Sequence, residues 1–495
     1  MIFNSYAFVF LMMPLSIAGY YILNRINIKY GLIWLLSVSL FFVGYMNVGY
    51  LAVLIPSICF NYVISYLMNS NGPKTKNASL NRKRLLTVGI ILNVAVLIFF
   101  KYTDFLIDNV NEIFAKDYSL LHLILPLGIS FYTFQQISCL VDHYRDKDLH
   151  IGFLEYAVYI SFYPQFVQGP IVLQEEFIPQ LRDSSRKNFD LQYAFKGLCR
   201  FTLGLAKKVL IADGIALIVD GGYQGLDEIG ALSALVLIFS YSLQIYFDFS
   251  GYSDMAVGLG LLFHIDLPEN FDSPYKAVSI NDFWDRWHIT LTRFFTRYIY
   301  IPLGGNRKGK GRTYANIFIL FLISGIWHGA EWSFVIWGLL HGIATIVHRM
   351  ISDRNKKHSL HNITSRTITF CYVSVAWVFF RADKTADALC VFKKLAEGGW
   401  NGITVRMYEA FSKLVEVSWL LRLDVLEIRN RFQGLAAILI MILLIIVCFV
   451  APGSKEMTDR CVKKITCQRL LVISVLLFWS ILSFSGVNNY IYWNF

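Results

Sequence analysis

Residues 313–347 read TYANIFILFLISGIWHGAEWSFVIWGLLHGIATIV, a pair of apolar segments. Basic loops bracket the pair, with four lysines and arginines at 307–312 and four more at 349–357. An excess of lysine and arginine is typical of the short loops that stay on the cytoplasmic side of a membrane. The stretch therefore predicts a helical hairpin that enters the membrane from the cytoplasm.

The rest of the chain has the same character. Of its 495 residues, 56% are hydrophobic and only 16% are charged, whereas a soluble globular chain carries roughly a quarter of its residues as charges. Only helices and closed barrels satisfy their own backbone groups in lipid, and the apolar runs lack the period-two alternation of barrel strands. The sequence predicts an all-α, polytopic integral membrane protein with about 11–13 transmembrane helices plus re-entrant or interfacial helices.

Charge between the apolar runs predicts the topology. The net charge is +11 and lies mainly in short connectors, which indicates membrane orientation and not nucleic-acid binding. Basic residues follow the first span and separate the third from the fourth, so the N-terminus is expected on the extracytoplasmic side. The first 21 residues have no basic leader and no small-residue cleavage site, and we interpret them as a first span that is retained.

No internal repeat or low-complexity linker marks a second domain. We expect one integral membrane domain over 1–495, with N-terminal spans in 1–120, a core in 121–390, an amphipathic insert in 391–432 and C-terminal spans in 433–495. Trp400 and Trp419 alternate with charged groups in the insert, which fits a segment lying along the membrane surface.

His328 is the first candidate for chemistry. It lies 16 residues past Arg312, roughly 24 Å along a helix, and a titratable group at such depth is by default a functional-site hypothesis. The alternative is a packed histidine bonded to a carbonyl, but the flanking glycines favour room for a ligand. On one helix, Ser324 and Trp332 would share the face of His328, so a hydroxyl would orient the imidazole beside an aromatic wall.

His288 is the second candidate, in the block FWDRWHIT at 283–290. Asp285 precedes it by three residues, a spacing at which a carboxylate can hold the imidazole on a helix and set its tautomer. An interfacial helix anchored by its tryptophans is an equal alternative.

Charged groups near these blocks suggest further contacts. One basic stripe on a helix would be formed by Arg286, Arg293 and Arg297. Its guanidinium groups could bind the phosphates of a coenzyme A type molecule, of a phosphopantetheine arm or of lipid headgroups. Asp248 and Asp254 interrupt an apolar run beside a glycine, which predicts a broken helix whose carboxylates face the interior and pair with arginines.

Other chemistry is not indicated. The sequence lacks a GxSxG elbow, a phosphate-binding loop ending in Lys-Ser or Lys-Thr, and an HExxH motif. The eight cysteines form no CxxC pair, and His358 and His361 lack a third ligand, so no metal is expected.

These motifs resemble the membrane-bound O-acyltransferase family, in particular its bacterial branch of alginate and peptidoglycan O-acetylation and teichoic-acid D-alanylation proteins. The resemblance covers most of the chain, and the two histidine blocks are its specific part. The matching segments are 2–5, 125–131, 162–170, 246–254, 270–271, 283–288, 302–306, 325–332 and 377–382.

The resemblance implies that His328 is catalytic, that His288 is the second family histidine, and that a tunnel links a cytoplasmic donor face to an outward funnel. It implies a ring of helices thinned at its centre, with His328 where two cavities meet. We expect Asp285, Arg286, Arg293, Arg297, Ser324 and Trp327 to contact substrate.

We hypothesise that acetyl-CoA or an acyl-carrier thioester donates the acyl group and that no cofactor is tightly bound. The acceptor is expected to be a polysaccharide hydroxyl at the cytoplasmic (inner) membrane, served by an extracytoplasmic acetyltransferase partner. A D-alanyl or lipid O-acyltransferase is the nearest alternative. A transporter is the more distant alternative; it would need inverted repeats, and the sequence shows none.

Overall fold

The computed structural model describes residues 2–70, 76–146, 149–354, 362–400, 402–404, 406–407, 429–463, 466–486 and 490–491. Helices account for nearly all regular structure in these ranges, and the strand-like pairing among them is one isolated bridge between Phe271 and Trp287. The prediction of an all-α fold is confirmed.

The helices are numbered here in chain order. They are α1 Met13–Ile26, α2 Ile28–Met46, α3 Val48–Ser70, α4 Lys76–Phe114, α5 Ile129–Arg145, α6 Phe153–Ser161, α7 Tyr163–Phe166, α8 Gln174–Arg182, α9 Leu191–Ala206, α10 Asp213–Gln224, α11 Ala231–Leu262, α12 Ile280–Arg286, α13 Ile289–Phe295, α14 Lys310–His328, α15 Trp332–Arg354, α16 Asn362–Arg381, α17 Thr385–Glu397, α18 Arg429–Val450, α19 Ser454–Lys463 and α20 Cys467–Leu482. Helical turns of π type precede α1 at Phe8–Met12 and α10 at Lys207–Ala212, and a third covers Thr296–Tyr300.

Seven helices in the described part of the chain are long and apolar enough to cross a membrane, or eight if the bent pair α18 and α19 is one span. The protein is therefore a multi-pass membrane protein. The number is below the expected 11–13. Several apolar segments form helices that are shorter, such as α6 and α20, and the apolar run that contains Asp248 and Asp254 forms the single helix α11.

The Cα positions divide into two compact units whose segments alternate along the chain. Unit 1 comprises 1–201, 255–269 and 293–299, and unit 2 comprises 202–254, 270–292 and 300–495. The expectation of a single domain with four segments stays a prediction.

In unit 1, asparagines make the tight connections between the first three spans. Asn27 and Asn47 are single extended residues between helices, each with φ near −160°. The side chain of Asn27 accepts a hydrogen bond from the Lys29 amide at 2.8 Å, and that of Asn47 accepts one from the Gly49 amide at 2.8 Å. Because these caps satisfy amides at the start of the next helix, one residue is enough to separate two apolar helices.

In unit 2, α14 and α15 pack against each other along small residues, which confirms the predicted hairpin. A Cβ on Gly325 would lie 2.5 Å from the Phe334 carbonyl oxygen, and one on Gly338 would lie 2.5 Å from the Phe321 carbonyl oxygen. The two backbones approach so closely that neither position has room for a side chain. The cytoplasmic entry of the hairpin stays a prediction.

We expect Gly325→Ala to destabilise the protein, by about 1–3 kcal/mol, because backbone atoms must move to admit the methyl group. Gly311 is a matched control in the same helix, since a Cβ there meets no atom within 4 Å. Alanine also favours helix more than glycine does, so Gly311→Ala should not lower stability. Thermal unfolding of the purified variants in detergent measures both. Equal unfolding temperatures for the two variants would show that the close hairpin contact is absent.

Helix α11 runs without interruption through Asp248 and Asp254, so the predicted broken helix is wrong. The carboxylates are buried, as expected, but their partners are lysines and not arginines. Lys207 lies 2.7 Å from Asp254, and Lys208 lies 2.7 Å from both Asp213 and Asp248. Because Lys207 and Lys208 neutralise the two carboxylates, α11 can continue through them as a regular helix.

Gly251, the glycine between the two carboxylates, has a packing role. A Cβ there would lie 2.9 Å from the Gly204 carbonyl oxygen and 3.1 Å from the Lys208 amide nitrogen. The glycine therefore lets α11 approach the segment that carries the two lysines. Of the amphipathic insert predicted for 391–432, residues 408–428, including Trp419, lie outside the described residues.

Candidate active site

His328 is the last residue of α14, and its side chain is buried in unit 2 with 3% exposure. Its ring centroid lies 4.7 Å from that of Trp327, 4.9 Å from that of Trp337 and 5.0 Å from that of Phe380. Ser324, one turn earlier, is buried as well. The imidazole therefore sits among aromatic rings, and the meeting of two cavities at this side chain stays a prediction.

Two details expected around His328 are wrong. Since α14 ends at His328, Trp332 begins the next helix and is 55% exposed, so the aromatic wall is formed by Trp337 and Phe380 instead. The flanking glycines do not leave room for a ligand. A Cβ on Gly329 would lie 2.1 Å from the Phe334 ring, so packing uses that space.

His288 lies between α12 and α13 and is buried with 1% exposure. Its φ is +46°, in the left-handed region that residues with a Cβ rarely adopt. Such strained backbone is tolerated where surrounding contacts hold it, and it is often found at functional sites. The ring of Phe249 packs against the imidazole at 4.8 Å in an edge-to-face arrangement.

The side chain of Asn270 lies within hydrogen-bond distance of the His288 ring. Its Oδ1 lies 3.1 Å from Nδ1 of His288, 3.3 Å from the Thr290 amide nitrogen and 2.8 Å from Oγ1 of Thr290. A backbone amide can only donate, so the asparagine atom that it faces is the carbonyl oxygen. His288 must therefore donate from Nδ1, which leaves the lone pair of the neutral ring on Nε2.

The expectation that Asp285 holds this ring is wrong. Helix α12 ends at Arg286, so Asp285 and His288 do not share a helix, and the Asp285 side chain is exposed. Burial lowers the pKa of His288 to about 3. The imidazole is thus neutral at physiological pH.

The two predicted histidines belong to one aromatic cluster. The centroid of Trp327 lies 4.7 Å from that of His328 and 6.5 Å from that of His288. The structure therefore brings together His328, His288 and Trp327 from the predicted site, and Ser324 is buried one turn before His328 on α14. This grouping joins α14 to the turn between α12 and α13.

The three arginines do not form one helical stripe, because the helix breaks at Trp287 and His288. Arg286 pairs with Asp282 at 2.7 Å in unit 2. In unit 1, Arg293 makes a bidentate pair with Glu176, and Arg297 binds Glu175 and Asp142. Some of the guanidinium N–H groups that a phosphate would need therefore already donate hydrogen bonds to carboxylates. Substrate contact by these arginines stays a prediction.

Sequence reasoning did not single out several buried polar residues of unit 2. Asn270 gave no signal beyond its place in the family resemblance. His341 packs within 5.0 Å of the rings of Trp284 and Trp337, and depth in an apolar segment could have identified it as it did His328. The adjacent Lys207 and Lys208 interrupt an otherwise apolar run, and this pattern could likewise have indicated buried charged side chains.

No group of three metal-binding side chains is found among the described residues. His358 and His361 lie outside them. The chemistry that the cluster offers is that of buried imidazoles among aromatic rings, which suits proton transfer to and from a bound substrate.

Known proteins resemble this chain over most of its length. The sequence model of the membrane-bound O-acyltransferase family matches residues 144–382, which include both histidines. The peptidoglycan O-acetyltransferase of Helicobacter pylori is 43% identical over 435 residues, 82% of this chain and 81% of that protein. A Pseudomonas aeruginosa protein named "Probable alginate O-acetylase" is 35% identical over 81% of this chain and 76% of its own. The teichoic acid D-alanyltransferase of Bacillus subtilis is 28% identical over 52% of this chain and 69% of its own.

Proposed function

Because this chain belongs to the membrane-bound O-acyltransferase family, we propose that it transfers an acetyl group from a cytoplasmic thioester to a hydroxyl of an exported or cell-wall polysaccharide. Its class of activity, O-acyl transfer in a membrane, is that of the family. The acetyl group and the polysaccharide acceptor are inferred from relatives that share about four-fifths of their length with this chain.

His328 is the general base of the proposed reaction. The neutral imidazole removes the proton of the acceptor hydroxyl as its oxygen attacks the thioester carbonyl. The tetrahedral intermediate then expels the thiolate, which takes the proton from the imidazolium, so the products are an ester and a thiol. A hydroxyl is a poor nucleophile until a positioned base removes its proton.

The observation that carries this proposal is the burial of His328 among aromatic rings whose centroids lie within 5.0 Å. Aromatic rings attract cations within about 6 Å, so the rings would stabilise the imidazolium that forms during the reaction. Exclusion of water would also favour transfer to the acceptor over hydrolysis of the thioester.

His288 has the supporting role in this proposal. Its ring is neutral and its centroid lies 6.5 Å from that of Trp327, so it can hold a polar group of the donor or acceptor without competing for the proton. Loss of His288 should impair turnover and not abolish it. The donor is acetyl-CoA or an acyl-carrier thioester, acting as substrate with no tightly bound cofactor.

The proposed setting is the cytoplasmic membrane, with the N-terminus on the extracytoplasmic side. Transfer to the glycan is direct or proceeds through an extracytoplasmic acetyltransferase partner. A D-alanyl group is the second candidate, since the Bacillus subtilis relative is a D-alanyltransferase. The transporter considered from sequence has no support, because the family is one of acyltransferases.

We expect acetate to be the acyl group released from the cell's polysaccharides by mild alkali, and its amount to fall when the gene is deleted. Mass spectrometry of the released acids distinguishes acetate from D-alanine and from fatty acids. Complementation with the wild-type gene should restore the acetate. Unchanged acetate with a loss of D-alanine would replace the acetyl proposal by the D-alanyl one, and no change in any ester would refute both.

A further inference from the structure

We infer that Asn270 is a positioning residue that fixes the tautomer of His288, so that Nε2 is the nitrogen presented to substrate. The inference rests on the proposed function for the role of the site. The role of Asn270 and the choice of Nε2 both follow from the hydrogen-bond geometry around the His288 ring.

The Oδ1 atom of Asn270 is a common acceptor for three donors. One is the Thr290 amide, one is the Thr290 hydroxyl and one is Nδ1 of His288, at 3.3, 2.8 and 3.1 Å. The amide orientation of Asn270 is set by the first of these, because a backbone N–H cannot accept. With the asparagine oriented, the ring has one neutral tautomer that fits, the one protonated at Nδ1.

The same residue also holds the backbone of His288. The Asn270 carbonyl oxygen accepts a hydrogen bond from the Ile289 amide at 3.0 Å, directly after the residue with φ of +46°. The Asn270 side-chain nitrogen lies 3.5 Å from Oγ of Ser253 on α11. Contacts through both its backbone and its side chain therefore keep a strained turn in one conformation.

Charged groups on the surrounding elements are engaged elsewhere. On α11, Asp254 pairs with Lys207. On α12, Asp285 is exposed and Arg286 pairs with Asp282. Other titratable groups on these elements include Asp248, which pairs with Lys208, and Asp272, which is exposed and 3.6 Å from Arg286. The ring of His328 reaches the same aromatic cluster through Trp327, and the tyrosines Tyr246 and Tyr252 also lie on α11.

Replacing the His288 imidazole by a side-chain amide tests whether Nδ1 or Nε2 is the nitrogen needed for acyl transfer. His288→Gln places its terminal amide near the position of Nε2, and His288→Asn places its amide near Nδ1. We expect His288→Gln to retain more acyl transfer than His288→Asn, by about tenfold or more. Equal activity of the two variants, or higher activity of His288→Asn, would overturn the inference.

A change at Asn270 tests the positioning role. Asn270→Asp keeps the acceptor oxygen but sets a carboxylate against Nδ1–H, which should raise the pKa of His288 from its value near 3 to about 4–6. The neutral ring is present above that pKa, so acyl transfer by this variant should fall as the pH is lowered through about 4–6, while wild-type transfer shows no such inflection. Asn270→Ala should lower transfer at every pH, with partial recovery in Asn270→Asp near neutral pH.

Ser253→Ala is the control, because it removes the contact of the Asn270 nitrogen and leaves the acceptor oxygen in place. Its pH profile should keep the wild-type shape. A wild-type pH profile for Asn270→Asp, with His288→Ala impaired, would refute the positioning role and leave the proposed function standing. Full activity of His288→Ala would instead remove His288 from the proposed function.

Discussion

Replacing His328 by alanine is expected to reduce O-acylation of the cell's polysaccharides by about 10²–10⁴-fold, the usual contribution of a positioned general base. The variant should still reach the membrane in normal amounts. His328 lies at the C-terminus of α14 and makes ring contacts with its neighbours, so a truncated side chain leaves the hairpin contact at Gly325 and Gly338 unchanged. The measurement is the amount of acetyl ester per unit of membrane protein.

His348 gives the matched control for this variant. It lies on α15 of the same hairpin, half-buried, and the aromatic cluster of His328 does not include it. His348→Ala should therefore retain wild-type ester levels. Normal ester levels in the His328 variant, or an equal loss in both variants, would contradict the assignment of the base.

Replacing Lys208 by methionine is expected to cost about 3–5 kcal/mol of stability, because it leaves two buried carboxylates without their cation. Lys208 is 1% exposed and bridges Asp213 and Asp248 at 2.7 Å each. Burial acts to lower its pKa, but attraction to Asp248 and Asp213 prevails and raises it. Its ammonium also lies 4.5 Å from the ring of Tyr490. The variant should be recovered as folded protein in much smaller amounts, measured by size-exclusion chromatography in detergent.

Two controls separate charge from packing in this experiment. Adding Asp213→Asn and Asp248→Asn to the Lys208 variant removes the two buried negative charges and should restore part of the folded yield. Arg460→Met breaks the exposed pair with Glu456 and should change stability by at most about 1 kcal/mol. Equal yields for the single and triple variants would show that the buried charges are not the cause.

Much of the fold could be predicted because its causes are local. Segment length, absence of charge and basic loops predict a hairpin of apolar helices, and α14 and α15 form one. The break expected at Asp248 was wrong for a non-local reason. A carboxylate in an apolar helix is tolerated when a cation reaches it, and Lys208 lies 40 residues earlier in the chain.

In the candidate site, too, local features could be predicted from the sequence and non-local contacts could not. His328 was predicted from its depth in an apolar segment, and its packing with Trp327 follows from their adjacency. The partner of His288 could not be found from spacing, because the helix ends at Arg286 and the acceptor comes from Asn270, 18 residues earlier in the chain. Rules for neighbours on a helix fail where a helix stops. The ring of helices and the tunnel that the family resemblance implies remain predictions.

The most direct test of the account is acyl transfer by the purified protein in liposomes, with an acetyl thioester as donor and an oligosaccharide of the cell's own envelope as acceptor. Ester formation and thiol release are measured together for the wild type and for His328→Gln, after both are shown to unfold at similar temperatures. The wild type should form ester and thiol in equal amounts, and the variant should form neither above background. Ester formation by the folded variant at the wild-type rate would contradict the central role of His328.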